Sequence, residues 1–238
     1  GVLMRMIKSP QMSAVLEATT GESKGSREIK INRLKATQAR EAVESGALSA
    51  SERAARCMVG QAAELVVTWP AAALRSRNNQ LWKIKFLNEG SVDAGGPYRE
   101  MFSNWSAELM TAGLVDVLIP SPNMVHGLGE TRDAWVVRPG ATGVRDQVVM
   151  RFVGRLMGVA VRTSETLDLA LCSLVWKAVV GEARDISDLA MVDTMAAQAL
   201  AYVERIDEEG VDASCFTDII DFALLATKYL NCTLSICP

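Results

Sequence analysis

The sequence predicts a predominantly helical α+β fold that contains a few short strands. Apolar residues recur at the spacing of an amphipathic helix in several long segments, including 147–162 and 189–203. Short segments such as 82–86 instead alternate apolar and polar residues, which is typical of a strand with one buried face. Glycine and proline separate these segments, and no internal repeat argues for a solenoid or a propeller.

Composition limits the classes of function. The chain has 238 residues, of which 49% are hydrophobic and 22% charged, with a net charge of -3. A folded chain of this size buries roughly 70–75% of its extended surface, so its core requires no metal or disulfide. Because basic residues are scattered and the net charge is slightly negative, we expect no nucleic-acid partner. No apolar segment reaches the length of a membrane span, so we expect no membrane insertion.

The clearest local pattern lies between residues 81 and 109. Strand-like alternation at 82–86 is followed by a turn at 88–91 and by the sequence Gly95-Gly96-Pro97. Paired glycines allow a tight turn, and proline is favoured at the first position of a helix. Helical spacing then places a set of large apolar residues on one face: Tyr98, Met101, Phe102, Trp105 and Leu109. The segment therefore predicts a strand, a glycine turn and an amphipathic helix.

Upstream of this segment the pattern is weaker. Residues 4–16 predict a short helix that Pro10 interrupts, followed by a small-polar linker at 19–27. Residues 28–34 predict a short strand, and residues 35–49 a polar connection. Ser49 and Glu52 form a capping box, which predicts one helix that continues to about Val66 and ends before Pro70.

Downstream, helices dominate the prediction. Gly113 should end the preceding helix, and 115–119 should form a strand before a loop at 121–143 that contains a strand fragment at 135–137. Three helical segments follow: 147–162, an almost fully buried segment at 167–181, and a helix capped by Ser187 or Asp188 that runs to Glu204. A last helix is predicted from Ser214 to about residue 229.

Few residues suggest catalysis. Gly95 and Gly96 lack the further residues of a phosphate-binding loop, so a tight turn is the favoured interpretation. His126 is the only histidine, and without a second ligand motif or a serine nucleophile elbow we expect it to be solvated in a loop. Four charged residues could form a polar cluster, although ordinary ion pairs and capping are favoured: Arg99, Glu100, Arg155 and Arg162.

The five cysteines predict no nucleophile. Their odd number and irregular spacing favour reduced thiols, as in the cytoplasm or nucleus. Cys57 and Cys172 lie in apolar helical patterns and are expected to be packed as small hydrophobic residues. Cys215 lies near an acidic segment, which would raise the pKa of its thiol and so disfavour attack. Cys232 and Cys237 lie close to the end of the chain.

One set of motifs carries a family resemblance. Phe86-Leu87-Asn88-Glu89-Gly90, followed by Asp93-Ala94-Gly95-Gly96-Pro97-Tyr98-Arg99-Glu100, resembles the signature near the start of a HECT-type ubiquitin ligase domain. Residues 152–163 are similar to the central helix of that family. Further segments resemble the HERC-like branch in family order: 31–33, 59–61, 64–65, 119–123, 132–133, 138–139, 167–171, 175–177, 181–182 and 188–189.

The resemblance implies a large, mostly helical lobe with an inserted smaller subdomain that docks a ubiquitin-charged conjugating enzyme. In this family a separate C-terminal lobe carries the catalytic cysteine, which accepts ubiquitin by transthioesterification and passes it to a substrate lysine. This chemistry requires a reactive thiolate and then an amine held close to the thioester. The implied partners are therefore a ubiquitin-conjugating enzyme and ubiquitin, with no cofactor or metal.

The resemblance covers the large lobe only. The family's cysteine lies in a Thr-Cys-Phe-like context after a Leu-Pro pair, which Asn231-Cys232-Thr233-Leu234 does not match. We therefore assign no catalytic residue, and expect a poorly ordered leader at 1–28, a partial N-terminal lobe at 29–216 and a divergent or truncated tail at 217–238. The chain alone should be an inactive, eukaryotic, cytoplasmic or nuclear fragment of a ligase. The alternative is a non-catalytic scaffold or decoy interaction module.

Overall fold

The computed structural model describes residues 2–21, 27–76, 78–89 and 96–205, and these form helices with two small sheets. The elements in chain order are α1 (Val2–Ala18), β1 (Glu28–Ile31), α2 (Arg33–Ser45), α3 (Ala50–Arg56), α4 (Met58–Thr68), a 3-10 helix (Ala71–Leu74), β2 (Lys83–Phe86), α5 (Gly96–Leu109), β3 (Leu118–Pro120), α6 (Pro122–His126), β4 (Trp135–Val137), α7 (Val144–Thr163), α8 (Ser173–Val180), α9 (Ile186–Ala190) and α10 (Thr194–Glu204). The predicted α+β class, dominated by helices, is confirmed.

Two short strand pairs join distant parts of the chain. β1 and β2 are parallel, and Ile29 and Ile31 lie opposite Ile84 and Phe86 in the register. In both strands these apolar residues face the core while the alternating residues are exposed, as the period-2 pattern predicts. β3 and β4 pair antiparallel, and β4 coincides with the predicted strand fragment.

The core is an aromatic cluster that joins β2, α5 and α7. The ring centroids of Trp82 and Tyr98 are 5.3 Å apart, and Trp82 also stacks on Phe102 at 6.3 Å. Trp105 meets Phe152 edge to face, at 5.3 Å and an interplanar angle of 88°. Aromatic pairs at these separations stabilise a core beyond the area that they bury. The strand, the glycine-initiated helix and the central helix therefore share one core.

Residues 33–45 form α2, so the predicted polar connection is wrong. Asn32 caps this helix, since its side chain accepts a hydrogen bond from the backbone N–H of Lys35, and Gly46 ends it in the left-handed conformation. The buried face consists only of alanines: Ala36, Ala39 and Ala42. Alanine contributes little to an apolar pattern, which is why the amphipathic signal was weak.

The helix predicted from Ser49 is divided into α3 and α4 at Cys57. The Ser49–Glu52 capping box is present as predicted. Cys57 has an extended backbone, with φ -62° and ψ 161°, and serves both as the last cap of α3 and as the first cap of α4. A Cβ on Gly60 would lie 1.8 Å from the carbonyl oxygen of Ala54, so the two helices approach too closely for any other residue there.

Gln61 fixes the same junction from the side. Its amide oxygen accepts the backbone N–H of Asn32 at 2.7 Å. Its amide nitrogen donates to the carbonyl oxygens of Asn32 at 3.1 Å and Arg56 at 2.6 Å. One side chain thus joins the end of β1 to the end of α3.

Three further boundaries differ from the prediction. α1 passes through Pro10 without ending. β3 begins at Leu118, later than expected, and the loop after it contains α6, which Ser121 caps and Pro122 begins. The predicted helix to Glu204 is divided into α9, capped by Asp185, and α10, capped by Asp193. The helix predicted from Ser214 lies outside the described residues.

The segment predicted as a nearly buried helix at 167–181 is also different. Residues 167–171 precede the helix, and Leu171 forms an isolated bridge with Trp135. α8 begins only at Ser173 and contains no fully buried residue. Its apolar side chains Trp176, Val179 and Val180 are 45%, 62% and 71% exposed. Hydrophobicity alone could not distinguish a buried helix from an exposed apolar one.

The close approach at Gly60 predicts a sharp difference between two glycines. Gly60→Ala should lower the free energy of unfolding by about 1–3 kcal/mol, because the added methyl group overlaps the backbone of α3. Gly154→Ala is the matched control: a Cβ there meets nothing within 4 Å, so helix propensity should raise stability by up to about 1 kcal/mol. Urea unfolding followed by circular dichroism measures both. Equal effects at the two positions would contradict the packing described for α3 and α4.

Candidate functional site

The first candidate for a reactive group is a cysteine thiol, and Cys57 is fully buried. Its Sγ accepts the backbone N–H of Gly60 and donates to the carbonyl oxygen of Ala54, both at 3.3 Å. The thiol is therefore used to connect α3 to α4. Burial, and secondarily the carboxylate of Glu108, raise the pKa of Cys57 to about 12, which leaves it protonated at neutral pH.

Glu108, on α5, lies with no exposure beneath the start of α4. Its Oε2 accepts the backbone N–H of Val59 at 2.7 Å, and its Oε1 lies 3.4 Å from Nη2 of Arg40. Burial raises the pKa of Glu108, while the backbone donors of Met58 and Val59 and the charge of Arg40 oppose that rise. The carboxylate thus caps a helix, where negative charge is favourable. The sequence pattern alone did not single out Glu108, although a glutamate on the apolar face of α5 is a usable signal.

Cys172 is also inaccessible, with 3% of its surface exposed. It precedes α8, its backbone N–H donates to the carbonyl oxygen of Trp135 at 3.0 Å, and it packs with Ala134 and Val136. Both cysteines are thus packed as small hydrophobic residues, as predicted. The other three cysteines, Cys215, Cys232 and Cys237, lie outside the described residues.

The four charged residues considered as a polar cluster are not brought together by ion pairs with one another. Arg99 pairs with Glu165 at 3.4 Å, and Glu100 pairs with Arg33 at 2.7 Å. Arg155 and Arg162 instead donate to backbone carbonyl oxygens. The favoured interpretation, ordinary ion pairs and capping, is what the structure contains.

The remaining sequence candidates provide no catalytic group either. His126 is exposed, as predicted, but it is the last residue of helix α6 and does not lie in a loop. Gly96 begins α5, whereas Gly95 lies outside the described residues. Within the described part of the chain, no group of three or more potential metal-binding side chains is present.

The second candidate is a protein-binding surface on helices α8 and α10. Besides the three exposed residues of α8, α10 exposes Leu200, Tyr202 and Val203 by 47%, 45% and 53%. Apolar side chains exposed together on one helix face, as at positions 176, 179 and 180 of α8, are typical of a surface that contacts another protein. No helix in the described ranges is both long enough and apolar enough to cross a bilayer.

Polar contacts attach these helices to the rest of the fold. Lys177 of α8 pairs with Asp188 of α9 at 2.9 Å. The side chain of Asn123, in α6, donates to the carbonyl oxygen of Ala190 at 3.0 Å and accepts the backbone N–H of Thr194 at 2.8 Å. Asn123 therefore fixes the turn between α9 and α10 against α6.

Comparison with known families decides the assignment. Residues 101–231, more than half of the chain, match the family model described as HECT-domain (ubiquitin-transferase). The chain belongs to the HECT-domain family. This confirms the HECT resemblance, and the matched range includes the motif at 152–163.

Individual relatives agree with this assignment. The chain is 36% identical over 125 residues to the E3 ubiquitin-protein ligase HERC2 of Homo sapiens, and 35% identical to that of Mus musculus. Each match covers 52% of this HECT-family chain and 3% of the relative. A probable E3 ubiquitin-protein ligase of Homo sapiens, HECTD4, is 25% identical over 178 residues, or 71% of this chain and 4% of that protein. The chain thus spans a small part of the length of these ligases.

Burial of the two described thiols predicts their chemical behaviour. With a pKa of about 12, roughly one Cys57 thiol in ten thousand would be ionised at pH 8, even before burial blocks the reagent. Iodoacetamide should therefore leave Cys57 and Cys172 unmodified in the native chain and label both in urea. Peptide mapping by mass spectrometry measures each cysteine separately. Rapid native labelling of either would show that these thiols are accessible.

The raised pKa of Glu108 predicts a pH-dependent stability. Because the folded chain holds this proton more tightly than the unfolded chain, the stabilising contribution is complete below the ordinary value of 4.5 and is lost as pH rises through the folded pKa. The free energy of unfolding of Glu108→Gln relative to wild type should therefore increase as pH rises above 4.5. Glu100→Gln, at an exposed carboxylate on the same helix, is the control. The same pH dependence in both variants would refute the role of burial.

Proposed function

We propose that this chain acts as the large helical lobe of a HECT-type ubiquitin ligase, with the thioester cysteine supplied by a C-terminal lobe outside the described residues. In this proposal ubiquitin leaves the cysteine of a conjugating enzyme, is bound by the ligase cysteine as a new thioester, and passes to a substrate lysine. The observation that supports it best is the burial of both described thiols in a chain of a ubiquitin-transferase family.

The chemistry of transfer supports this division between lobes. Exchange between thioesters needs a thiolate that can reach the incoming acyl carbon. Cys57 is protonated and buried, and its Sγ is used in two hydrogen bonds inside the fold. Cys172 is enclosed between β4 and α8. Neither of the two described thiols is suited to the covalent step, which supports placing that step on a cysteine of another lobe.

The exposed apolar residues of α8 and α10 support a role in contact with the transfer machinery. We propose that a ubiquitin-charged conjugating enzyme contacts the exposed apolar face of α8, in addition to the inserted subdomain that the family resemblance implies. The organisation that we propose comprises a leader at 1–28, the lobe at 29–216 and a divergent tail at 217–238, acting in the cytoplasm or nucleus of a eukaryotic cell. The buried, reduced thiols are compatible with that compartment.

A second candidate function is a non-catalytic scaffold or decoy that binds the conjugating enzyme without promoting transfer. It is favoured by the same burial of Cys57 and Cys172. The two functions differ in one respect. A platform lobe should accelerate ubiquitin loading of a HECT cysteine lobe supplied as a separate polypeptide, whereas a decoy should slow it by competition.

A thioester assay tests both functions. Incubation with ubiquitin-charged conjugating enzymes should give no reducible ubiquitin adduct on this chain, detected as a band that disappears with thiol reductant. Binding of the charged enzyme should be weakened about tenfold or more by Trp176→Asp, because a charge replaces an exposed apolar contact residue. Val144→Asp, at an 83% exposed position on α7, is the control and should leave binding unchanged.

Two results would count against the proposal. A reducible ubiquitin adduct on this chain would overturn its expected inactivity. Equal binding of the charged conjugating enzyme by wild type and Trp176→Asp would show that the exposed face of α8 is not part of the docking site.

A further inference from the structure

A groove of about 550 Å³ lies between α7 and the 3-10 helix Ala71–Leu74, away from the thiols and from α8. Four arginines line it: Arg75, Arg151, Arg155 and Arg162. A chain with a net charge of -3 thus concentrates four positive charges around one concave surface. Clefts lined by charge of one sign attract ligands of the opposite sign.

The groove has an apolar base between its charges. Ala71 and Leu74 contribute to it from the 3-10 helix, and Val159 from α7. Gly154 and Gly158 lie between the arginines of α7, and a Cβ added at either would meet nothing within 4 Å. The absence of side chains at these glycines therefore keeps the groove open along α7.

Two of the guanidinium groups are held in place by the fold. Nη1 of Arg155 donates to the carbonyl oxygens of Val66 at 2.6 Å and Trp69 at 2.8 Å. Arg162 donates to the carbonyl oxygen of Leu16 at 3.0 Å and to the hydroxyl of Thr19. A guanidinium has five N–H donors, so each keeps donors for a ligand. Fixing these side chains in advance lowers the entropy cost of binding.

None of the four guanidinium groups forms an ion pair with a carboxylate among the residues that the structure describes. Arginine pairs readily with carboxylate and phosphate oxygens in a bidentate geometry. The groove is therefore suited to an anionic ligand from outside the described fold.

The arrangement of the arginines indicates the shape of that ligand. Arg151 and Arg162 are eleven positions apart on α7, which corresponds to about 16 Å along the helix axis. A fully extended peptide covers that distance with about five residues. A linear row of charges fits an extended polyanion better than a single phosphate. The described lining contains no aromatic ring on which a nucleobase could stack, which favours a peptide over single-stranded nucleic acid.

We propose that this groove binds an extended acidic peptide segment of a partner protein, in which carboxylates pair with the arginines and small apolar side chains contact the base. Such a segment would be a recognition element of a substrate or regulator, and its binding requires neither the thioester cysteine nor the surface on α8. The proposal is therefore independent of the ubiquitin-transfer function and can fail separately from it.

Fluorescence anisotropy with the full 238-residue chain tests this inference. The probe is a fluorescein-labelled peptide of about ten residues, rich in Asp and Glu and containing two leucines. Arg151→Glu and Arg75→Glu, both at exposed positions, should each weaken binding about tenfold or more, since each replaces a charge-assisted contact by repulsion. Arg184→Glu makes the same charge change at an exposed position outside the groove and should alter binding less than about twofold.

A variant that leaves the charge unchanged distinguishes binding in the groove from nonspecific electrostatic attraction of the peptide. Gly158→Gln should reduce peptide binding about tenfold, because its side chain would occupy the open groove, while unfolding experiments should show an intact and slightly more stable helix. Four results would each overturn the proposal. These are no binding by wild type, equal weakening by Arg184→Glu and Arg151→Glu, unchanged binding by Gly158→Gln, and tighter binding of a single-stranded oligonucleotide of equal length than of the peptide.

Discussion

Helix α4 is held at both ends by charged side chains from other helices, and the rest of the fold depends on that constraint. Glu108 of α5 accepts backbone N–H at its start, and Arg155 of α7 donates to carbonyl oxygens at its end. These charges are matched to the helix dipole, negative at the amino end and positive at the carboxyl end. Because α5 and α7 also supply the aromatic core, one set of polar contacts fixes the spacing of three helices around it.

The junction before α4 is fixed by several specific contacts. Cys57 has an extended backbone between α3 and α4. Its thiol accepts the backbone N–H of Gly60, as the hydroxyl group of a serine does when it caps a helix. Gly60 allows the close approach, and Gln61 joins the junction to β1. Replacing a thiol that serves as a buried cap would leave a backbone donor without its acceptor, which costs more than a lost surface contact. A cysteine in this position therefore has a structural role.

The sequence was sufficient to predict the helices and strand that form the core, but not the polar contacts and helix breaks around them. Apolar periodicity located β2, α5 and α7, since large side chains repeat at clear spacing there. It missed α2, whose buried face is only alanine, and it could not place the break at Cys57, which requires knowing that Gly60 touches Ala54. Glu108 and the arginine groove were missed for a related reason. Their significance lies in contacts between residues far apart in the chain, such as Arg155 with Val66, which one sequence does not display.

α7 connects the stability of the lobe to its surface. One face carries Phe152 and Leu156 into the aromatic core, while the opposite side presents Arg151, Gly158 and Arg162 to the groove. Arg155 belongs to both, because it ends α4 and lines the groove. An anion that bound Nη1 of Arg155 would compete with the carbonyl oxygens of Val66 and Trp69. An anion that bound the remaining N–H groups would leave those two hydrogen bonds intact. Occupancy of the proposed groove would therefore be coupled, through Arg155, to the packing of α4 against α7.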